Sequence, residues 1–256
     1  RRRVPPHRRA PGHARQDGLY GTRLTQGHTA CYQVDGYQWL GSLEHLGLGG
    51  ILADDMGLGK TLQMIVHILA RVEAGDTKPT LVVCPASLVY NWAAELERFA
   101  PSLDVCAIVG AKAQRRVQIA GAAEHNVVVT SYDLMRRDID EYAEQDFARV
   151  VLDEAQYIKN PLTQVARAAK RLPAGVRFAL TGTPIENRLS ELWSIFDFLM
   201  PGLLARATHL PSALKVPSSM PRATAPLVCR RSCRRLCCVA SRKTWWPTCP
   251  RRSKTR

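Results

Sequence analysis

Short, continuously apolar runs alternate with helically spaced segments through residues 32–204. Continuous apolar runs are typical of strands that are buried on both faces of a parallel sheet. The predicted strands are residues 50–53, 80–84, 104–109, 126–130, 149–152 and 176–180. The predicted helices are residues 32–46, 61–74, 87–99, 111–120, 162–172 and 190–199. This order predicts an α/β fold in which βαβ units build a parallel sheet with helices on both faces.

The loop after the first predicted strand has the composition of a phosphate-binding loop. Residues 54–61 read Asp-Asp-Met-Gly-Leu-Gly-Lys-Thr. Gly57 and Gly59 would let backbone N–H groups approach an anion, Lys60 would reach the β- and γ-phosphates, and the Thr61 hydroxyl would ligate Mg²⁺. The strict pattern has its first glycine where this chain has Asp54, so the loop is a variant. The alternative is an ordinary strand–helix turn that happens to contain Gly-Lys-Thr.

Two adjacent carboxylates follow another buried strand, at Asp153 and Glu154. In a parallel sheet the carboxyl ends of the strands share one edge, so we expect these acids to lie near the phosphate loop. Asp153 would hold Mg²⁺ and Glu154 would activate a water molecule, which is the chemistry that phosphoryl transfer needs. The alternative is a solvated acid pair at the start of a helix.

Six segments resemble, in order, the motifs of Swi/Snf-type DNA translocases, which are superfamily-two helicase-like ATPases. The sequence Asp-Glu-Ala-Gln at 153–156, followed by Ile-Lys-Asn-Pro, is most similar to the bacterial members. The resemblance implies a RecA-like P-loop domain, the first of two such lobes, and a location in the bacterial cytosol. The six segments are residues 32–40, 55–61, 83–92, 129–133, 152–161 and 180–187.

The resemblance also implies roles for residues at matching positions. Gln33 would read the adenine edge of ATP, and the phosphate loop would hold ATP through Asp55, Gly57, Gly59, Lys60 and Thr61. Mg²⁺ would be held by Thr61 and Asp153, with Lys60, Asp153 and Glu154 as the catalytic residues. Coupling of ATP to movement would involve Gln156, Thr181, Gly182 and Thr183. The backbone of double-stranded DNA would lie along Pro85, Ser87, Thr130 and Ser131.

Several of these residues have a purely structural alternative. Ser87 would then only cap a helix, and Thr181 and Thr183 would only shape a turn. Gln33 would be an ordinary surface residue of its helix. The sequence leaves the oligomeric state, any protein partners and the direction of translocation open.

The charge lies at the two ends of the predicted domain. Of the formal net charge of +14, residues 1–30 hold seven arginines and one acid (+6), and residues 205–256 hold thirteen Lys and Arg and no acid (+13). Residues 31–204 therefore carry −5, and the overall basicity says little about their function. We expect residues 1–30 and 205–256 to be irregular basic extensions flanking a domain at 31–204. No apolar run reaches 18 residues, so we expect no membrane span. The basic residues 1–9 have no apolar segment behind them, so we expect no secretory signal.

Residues 205–256 are further interpreted as an out-of-frame reading of the gene. Read in another frame, permissible codons for residues 233–252 spell a sequence similar to the family's own continuation. The alternative is a genuine basic extension containing five cysteines, whose spacing favours neither a zinc site nor a disulfide framework. Nothing after Leu204 resembles the second lobe, so we expect an ATP-binding lobe with an incomplete site. The competing hypothesis is a non-enzymatic nucleic-acid-binding or non-functional fragment.

Overall fold

The computed structural model describes residues 31–183, residues 189–202 and the backbone of Cys237–Cys238. Its strands are β1 Gly50–Leu52, β2 Thr80–Cys84, β3 Val105–Ala107, β4 Val127–Ser131, β5 Arg149–Asp153, β6 Val176–Leu180 and β7 Cys237–Cys238. Its helices are α1 Cys31–His45, α2 Lys60–Glu73, α3 Val89–Phe99, α4 Lys112–Ala120, α5 Tyr132–Arg137, α6 Ile139–Tyr142, α7 Gln164–Arg171 and α8 Leu189–Leu199. Three short 3₁₀ turns lie at Ala86–Leu88, Ala122–Glu124 and Ala155–Ile158.

The strands form one parallel sheet in the order β3-β4-β2-β5-β6-β1-β7. Every connection between successive strands of the described domain therefore runs from the carboxyl edge of the sheet back to the amino edge, as parallel pairing requires. The predicted parallel sheet is confirmed. The strand at Cys237–Cys238 pairs with β1 and was not predicted, because two residues carry no readable periodicity. The predicted basic extensions otherwise lie outside the described residues.

Successive strand residues bury their side chains on opposite faces of the sheet, which explains why the strands are apolar throughout. On one face Leu52, Val82 and Val151 pack against α1, α2 and α3. On the other face Ile51, Leu81 and Val150 lie in the core with helices α4 to α8. The predicted arrangement of helices on both faces is confirmed.

The segment between β4 and β5 departs from the prediction, which placed no helix there. Two short helices, α5 and α6, occupy it. Their buried residues Tyr132, Met135, Ile139 and Tyr142 do have near-helical spacing. Each helix is six residues or fewer, however, and so is shorter than the window in which periodicity can be recognised.

Candidate nucleotide-binding site

The loop between β1 and α2 has the backbone of a phosphate cradle. Gly57 and Gly59 take left-handed conformations, with φ of 79° and 75°, which glycine adopts without strain. Helix α2 begins at Lys60, directly after Gly59, so the unpaired N–H groups of its first turn lie at the end of the loop. The Lys60 ammonium donates hydrogen bonds to the carbonyl oxygens of Asp54 (2.9 Å) and Asp55 (3.3 Å). The lysine is therefore held over its own loop, and Thr61 follows it in the first helical turn.

Asp54 stands where the strict loop pattern has a glycine, and its side chain links the loop to α2. It is 1% exposed, and its carboxylate accepts a hydrogen bond of 3.0 Å from the side chain of Gln63 on α2. Gln63 was not singled out by the sequence, since a glutamine inside a helix has no distinguishing signal. A glycine at position 54 would leave this buried amide without that acceptor, so the aspartate is a structural part of this variant loop.

Gln33 contacts the same loop from α1. Its side-chain amide donates to the carbonyl oxygen of Leu58 at 3.2 Å, and the residue is 8% exposed. The packing is tight, because a Cβ placed on Gly59 would lie 2.3 Å from Gln33 Nε2. The alternative that Gln33 is an ordinary surface residue is therefore wrong. Its predicted contact with adenine is untested and stays a prediction.

Asp153 is the last residue of β5 and is buried at the edge where the phosphate loop lies. Its Oδ2 accepts a hydrogen bond from Trp92 Nε1 (2.9 Å), and its Oδ1 accepts one from the Glu154 backbone (2.9 Å). Burial raises the pKa of Asp153, and the charge of Glu154 adds to this, while the Trp92 hydrogen bond and the charge of Lys60 oppose it. The acid is thus not part of a solvated pair, and it lies near enough to Lys60 for the two charges to interact.

The backbone of Glu154 adopts a left-handed conformation. Its φ of 52° is the one positive value at a non-glycine among the described residues. Residues other than glycine, asparagine and aspartate pay for this conformation, and such strain is concentrated at functional sites. The turn places the half-buried Glu154 side chain beside Gln156, whose amide donates to Glu154 Oε2 at 2.7 Å.

A chain of hydrogen bonds runs from Glu154 to the segment after β6. Gln156 links to Thr181, whose hydroxyl donates to Gln156 Oε1 at 2.9 Å. The same hydroxyl accepts from the Thr183 backbone at 3.1 Å. Gly182 lies against the phosphate loop, since a Cβ there would be 3.3 Å from Met56 Cγ. The structure therefore brings the four predicted coupling residues together, and Thr181 does more than shape a turn.

The four residues assigned to DNA do not share one exposed surface. Pro85 is half-buried and Ser87 is exposed, in the 3₁₀ turn after β2. Thr130 is fully buried in β4, so its hydroxyl is not available to a DNA backbone in this structure. The Ser131 hydroxyl, 3% exposed, accepts from the Leu134 backbone at 3.3 Å and caps α5. The predicted cap role of Ser87 is wrong, because α3 begins at Val89 without a side-chain cap.

Two aromatic residues near the acids, Trp92 and Tyr132, lie within the recognised motifs, but the sequence predicts no role for either. Trp92 lies on α3 and is 2% exposed, and Tyr132 opens α5 and is 3% exposed. The Tyr132 hydroxyl donates to the Asp153 carbonyl oxygen at 2.7 Å. Burial raises the pKa of Tyr132 well above its usual value, so the hydroxyl remains a donor. The sequence does not reveal these contacts, because a buried aromatic residue follows the same hydrophobic pattern as any other core residue.

The geometry defines a class of protein. Four features together form a P-loop nucleotide-binding domain: strand β1, a loop with two left-handed glycines, a helix beginning at a lysine, and strand β5, which lies one strand away from β1, ends at Asp153 and is followed by Glu154. The chain belongs to the family of the SNF2-related domain, whose model matches residues 32–255. That match continues well past the last recognised motif, which ends at residue 187.

Relatives of known name agree with this membership. The TATA-binding protein-associated factor mot1 of Schizosaccharomyces pombe is 45% identical over an alignment of 185 residues, which covers 68% of this chain and 10% of mot1. YwqA of Bacillus subtilis, named as an ATP-dependent helicase/translocase, is 45% identical over 179 residues, which are 69% of this chain and 19% of YwqA. The chain thus spans between a tenth and a fifth of these relatives. Since they come from both a yeast and a bacterium, the bacterial type stays a prediction.

Solved structures confirm the predicted RecA-like fold. The Sulfolobus solfataricus SWI2/SNF2 ATPase core in complex with double-stranded DNA matches 85% of this chain with a TM-score of 0.74 and 35% identity. The Sulfolobus solfataricus SWI2/SNF2 ATPase core domain matches 82% of the chain with a TM-score of 0.68 and 36% identity. The chain covers 45% and 42% of those structures, so it corresponds to less than half of that ATPase core. Within the described residues, no helix is both long and apolar enough to cross a membrane.

Proposed function

We propose that this chain is an ATP-binding lobe of a DNA-dependent ATPase that translocates along double-stranded DNA. One observation carries the proposal: the phosphate loop follows β1 and the Asp153–Glu154 pair lies at the end of β5, and both strands pair in parallel with β6, so the two motifs lie at the same edge of the sheet. The family supports it as well, since relatives are named as ATP-dependent helicases or translocases and a matching core structure contains DNA.

The residues present fit ATP together with Mg²⁺. The left-handed glycines and the start of α2 suit an anion, Lys60 supplies a positive charge beside it, and the Thr61 hydroxyl and Asp153 carboxylate are the oxygen ligands that Mg²⁺ prefers. Bound with ATP, Mg²⁺ neutralises charge on the phosphates that leave and are transferred. Glu154 would accept the proton of the attacking water, and Gln156 would hold the Glu154 carboxylate in place through its amide.

The alternative function is nucleic-acid binding by the basic ends without any use of ATP. It is favoured by the charge of +6 in residues 1–30 and +13 in residues 205–256. The division into these ends and a domain at 31–204, and the out-of-frame reading of 205–256, remain proposals. The nucleotide sequence of the gene tests the latter: the interpretation fails if no single-base shift continues the family sequence.

Substitution of Lys60 separates the two functions. Loss of a charge-assisted contact to phosphate should weaken binding of the fluorescent analogue mant-ATP, in the presence of Mg²⁺, by about 10- to 100-fold in Lys60→Ala. Lys78→Ala is the matched control, because Lys78 is an exposed surface residue paired with Asp146 and belongs to no part of the site. Fluorescence titration of both variants and the unaltered chain gives the three affinities. Equal affinities for Lys60→Ala and the unaltered chain would rule out the proposed ATP site.

A further inference from the structure

Asp153 is held by two aromatic donors that approach from opposite faces of the sheet. Trp92 belongs to the core on the face covered by α1, α2 and α3, and Tyr132 belongs to the core on the other face. The Trp92 indole donates to the Asp153 carboxylate, and the Tyr132 hydroxyl donates to the Asp153 main-chain carbonyl. Both donors are buried, so neither hydrogen bond competes with water.

The two hydrogen bonds act on different parts of the site. The Trp92 bond fixes one carboxylate oxygen and therefore the direction in which the other points. The Tyr132 bond fixes the carbonyl side of the Asp153–Glu154 peptide, whose N–H side is held by Asp153 Oδ1. That peptide leads into the left-handed conformation of Glu154, so the hydroxyl helps to hold the strained turn.

A ring contact reinforces the second hydrogen bond. The Tyr132 ring stacks on the ring of Tyr157, with centroids 4.8 Å apart and planes within 2° of parallel. Tyr157 lies in the 3₁₀ turn that follows Glu154, and its backbone N–H donates to the Glu154 carbonyl oxygen at 3.1 Å. Tyr132 therefore contacts the chain on both sides of Glu154, at Asp153 and at Tyr157.

We propose that Trp92 and Tyr132 are positioning residues, which hold Asp153 and Glu154 in the geometry that binds Mg²⁺ with the nucleotide. The proposal rests on the proposed function, because it concerns the same site. The hydrogen bonds that both side chains donate go to Asp153, so their effect should fall on the metal rather than on the nucleotide itself. Groups that orient metal ligands typically change metal affinity by roughly 10- to 100-fold when they are removed.

The test is a Mg²⁺ titration of mant-ATP binding by the full chain, beside a titration in EDTA. Trp92→Phe removes the indole donor and Tyr132→Phe removes one oxygen atom. Each should raise the Mg²⁺ concentration at half-maximal binding, by about tenfold for Trp92→Phe, while the affinity in EDTA changes by less than about twofold. The matched controls are Trp39→Phe on α1 and Tyr142→Phe on α6. They make the same chemical changes at residues that are not hydrogen-bonded to Asp153 or Glu154. These should leave both values unchanged.

Each outcome decides the proposal. Unchanged Mg²⁺ midpoints in both variants, with normal binding by the unaltered chain, would overturn the positioning role and leave the proposed function standing. Parallel losses in Mg²⁺ and in EDTA would also overturn it, because they indicate a general loosening of the fold. If the unaltered chain binds no nucleotide in Mg²⁺, the proposed function fails and this inference fails with it. If Trp92→Phe does not fold, Tyr132→Phe decides, since it deletes only a hydroxyl.

Discussion

Gly59 must be glycine for two separate reasons, which the sequence pattern does not distinguish. The pattern demands glycine so that a phosphate can approach the backbone. In the structure the residue also has a φ of 75°, and its missing Cβ leaves room for the side chain of Gln33. The second constraint joins α1 to the phosphate loop. It was invisible in the sequence, because it depends on a contact between residues 26 positions apart.

Gly59→Ala should therefore cost more than the backbone conformation alone. Gly47 offers a matched control, since its φ is 66° and a Cβ there would meet nothing within 4 Å. Gly47→Ala should lose about 1 kcal/mol of unfolding free energy, and Gly59→Ala should lose at least about 1 kcal/mol more and also weaken mant-ATP binding. Urea denaturation of both variants measures the difference. Equal losses would mean that Gln33 moves aside freely and that its contact with the loop is unimportant.

At the scale of elements, a buried ion cluster fixes helices α1 and α2 to the sheet at the edge opposite the candidate site. Arg149, the fully buried first residue of β5, pairs with Glu44 of α1 and with Asp76, and donates to Thr80 at 3.1 Å. His67 of α2 lies 2.6 Å from Glu44. The cluster sets the position of α1 and therefore of Gln33. Nothing in the sequence marks its residues as a cluster, because the burial of a charge depends on partners distant along the chain.

This cluster predicts a loss of stability in acid. Burial by itself raises the pKa of Glu44, but the hydrogen bonds and charges of His67 and Arg149 outweigh it and lower the pKa from 4.5 to about 2. A lowered pKa in the folded state stabilises the fold above the ordinary value of 4.5, and this contribution is lost as the pH falls toward about 2. Thermal unfolding measured between pH 7 and pH 2 should show the loss in that window.

Glu44→Gln tests the origin of that acid sensitivity. It leaves the charge of Arg149 buried with one partner fewer, which should cost about 3–5 kcal/mol at neutral pH and flatten the pH dependence below 4.5. Glu73→Gln, the same change at an exposed position of α2, should alter neither. An unchanged acid profile in Glu44→Gln would assign the sensitivity to other carboxylates.

For the whole molecule, the sequence predicts the parallel sheet and its two covered faces, whereas the roles assigned to the site residues stay predictions. Continuous apolar strands and the order of motifs are local properties, and the sheet, its two covered faces and the shared edge of the phosphate loop and Asp153 follow from them. The sequence does not predict the contacts that hold the site, because their partners are far apart along the chain. Trp92 and Tyr132 are separated from Asp153 by 61 and 21 positions. The same limit applies to Thr130, because one pattern fits both an exposed and a buried hydroxyl, and its contact with DNA stays a prediction.

The effect of Mg²⁺–ATP on the affinity for DNA distinguishes a lobe that couples ATP to DNA from a chain that binds DNA only through its basic ends. If the strand edge binds both ligands, Mg²⁺–ATP should change the affinity for a labelled DNA duplex, and the duplex must change the affinity for mant-ATP by the same factor. Couplings of this kind are typically about fivefold or more. Binding by residues 1–30 and 205–256 that is independent of the ATP site gives a factor of one in both directions.

Lys60→Ala and the choice of salt make this measurement decisive. The variant should abolish the coupling while leaving the affinity for the duplex alone unchanged, and Lys78→Ala should preserve both. Fluorescence anisotropy must be recorded at several fixed salt concentrations, because contacts between the basic ends and phosphates weaken steeply with salt. A coupling factor that stays at one in low and high salt would contradict the proposed translocase lobe, and it would leave the basic ends as the whole basis of DNA binding.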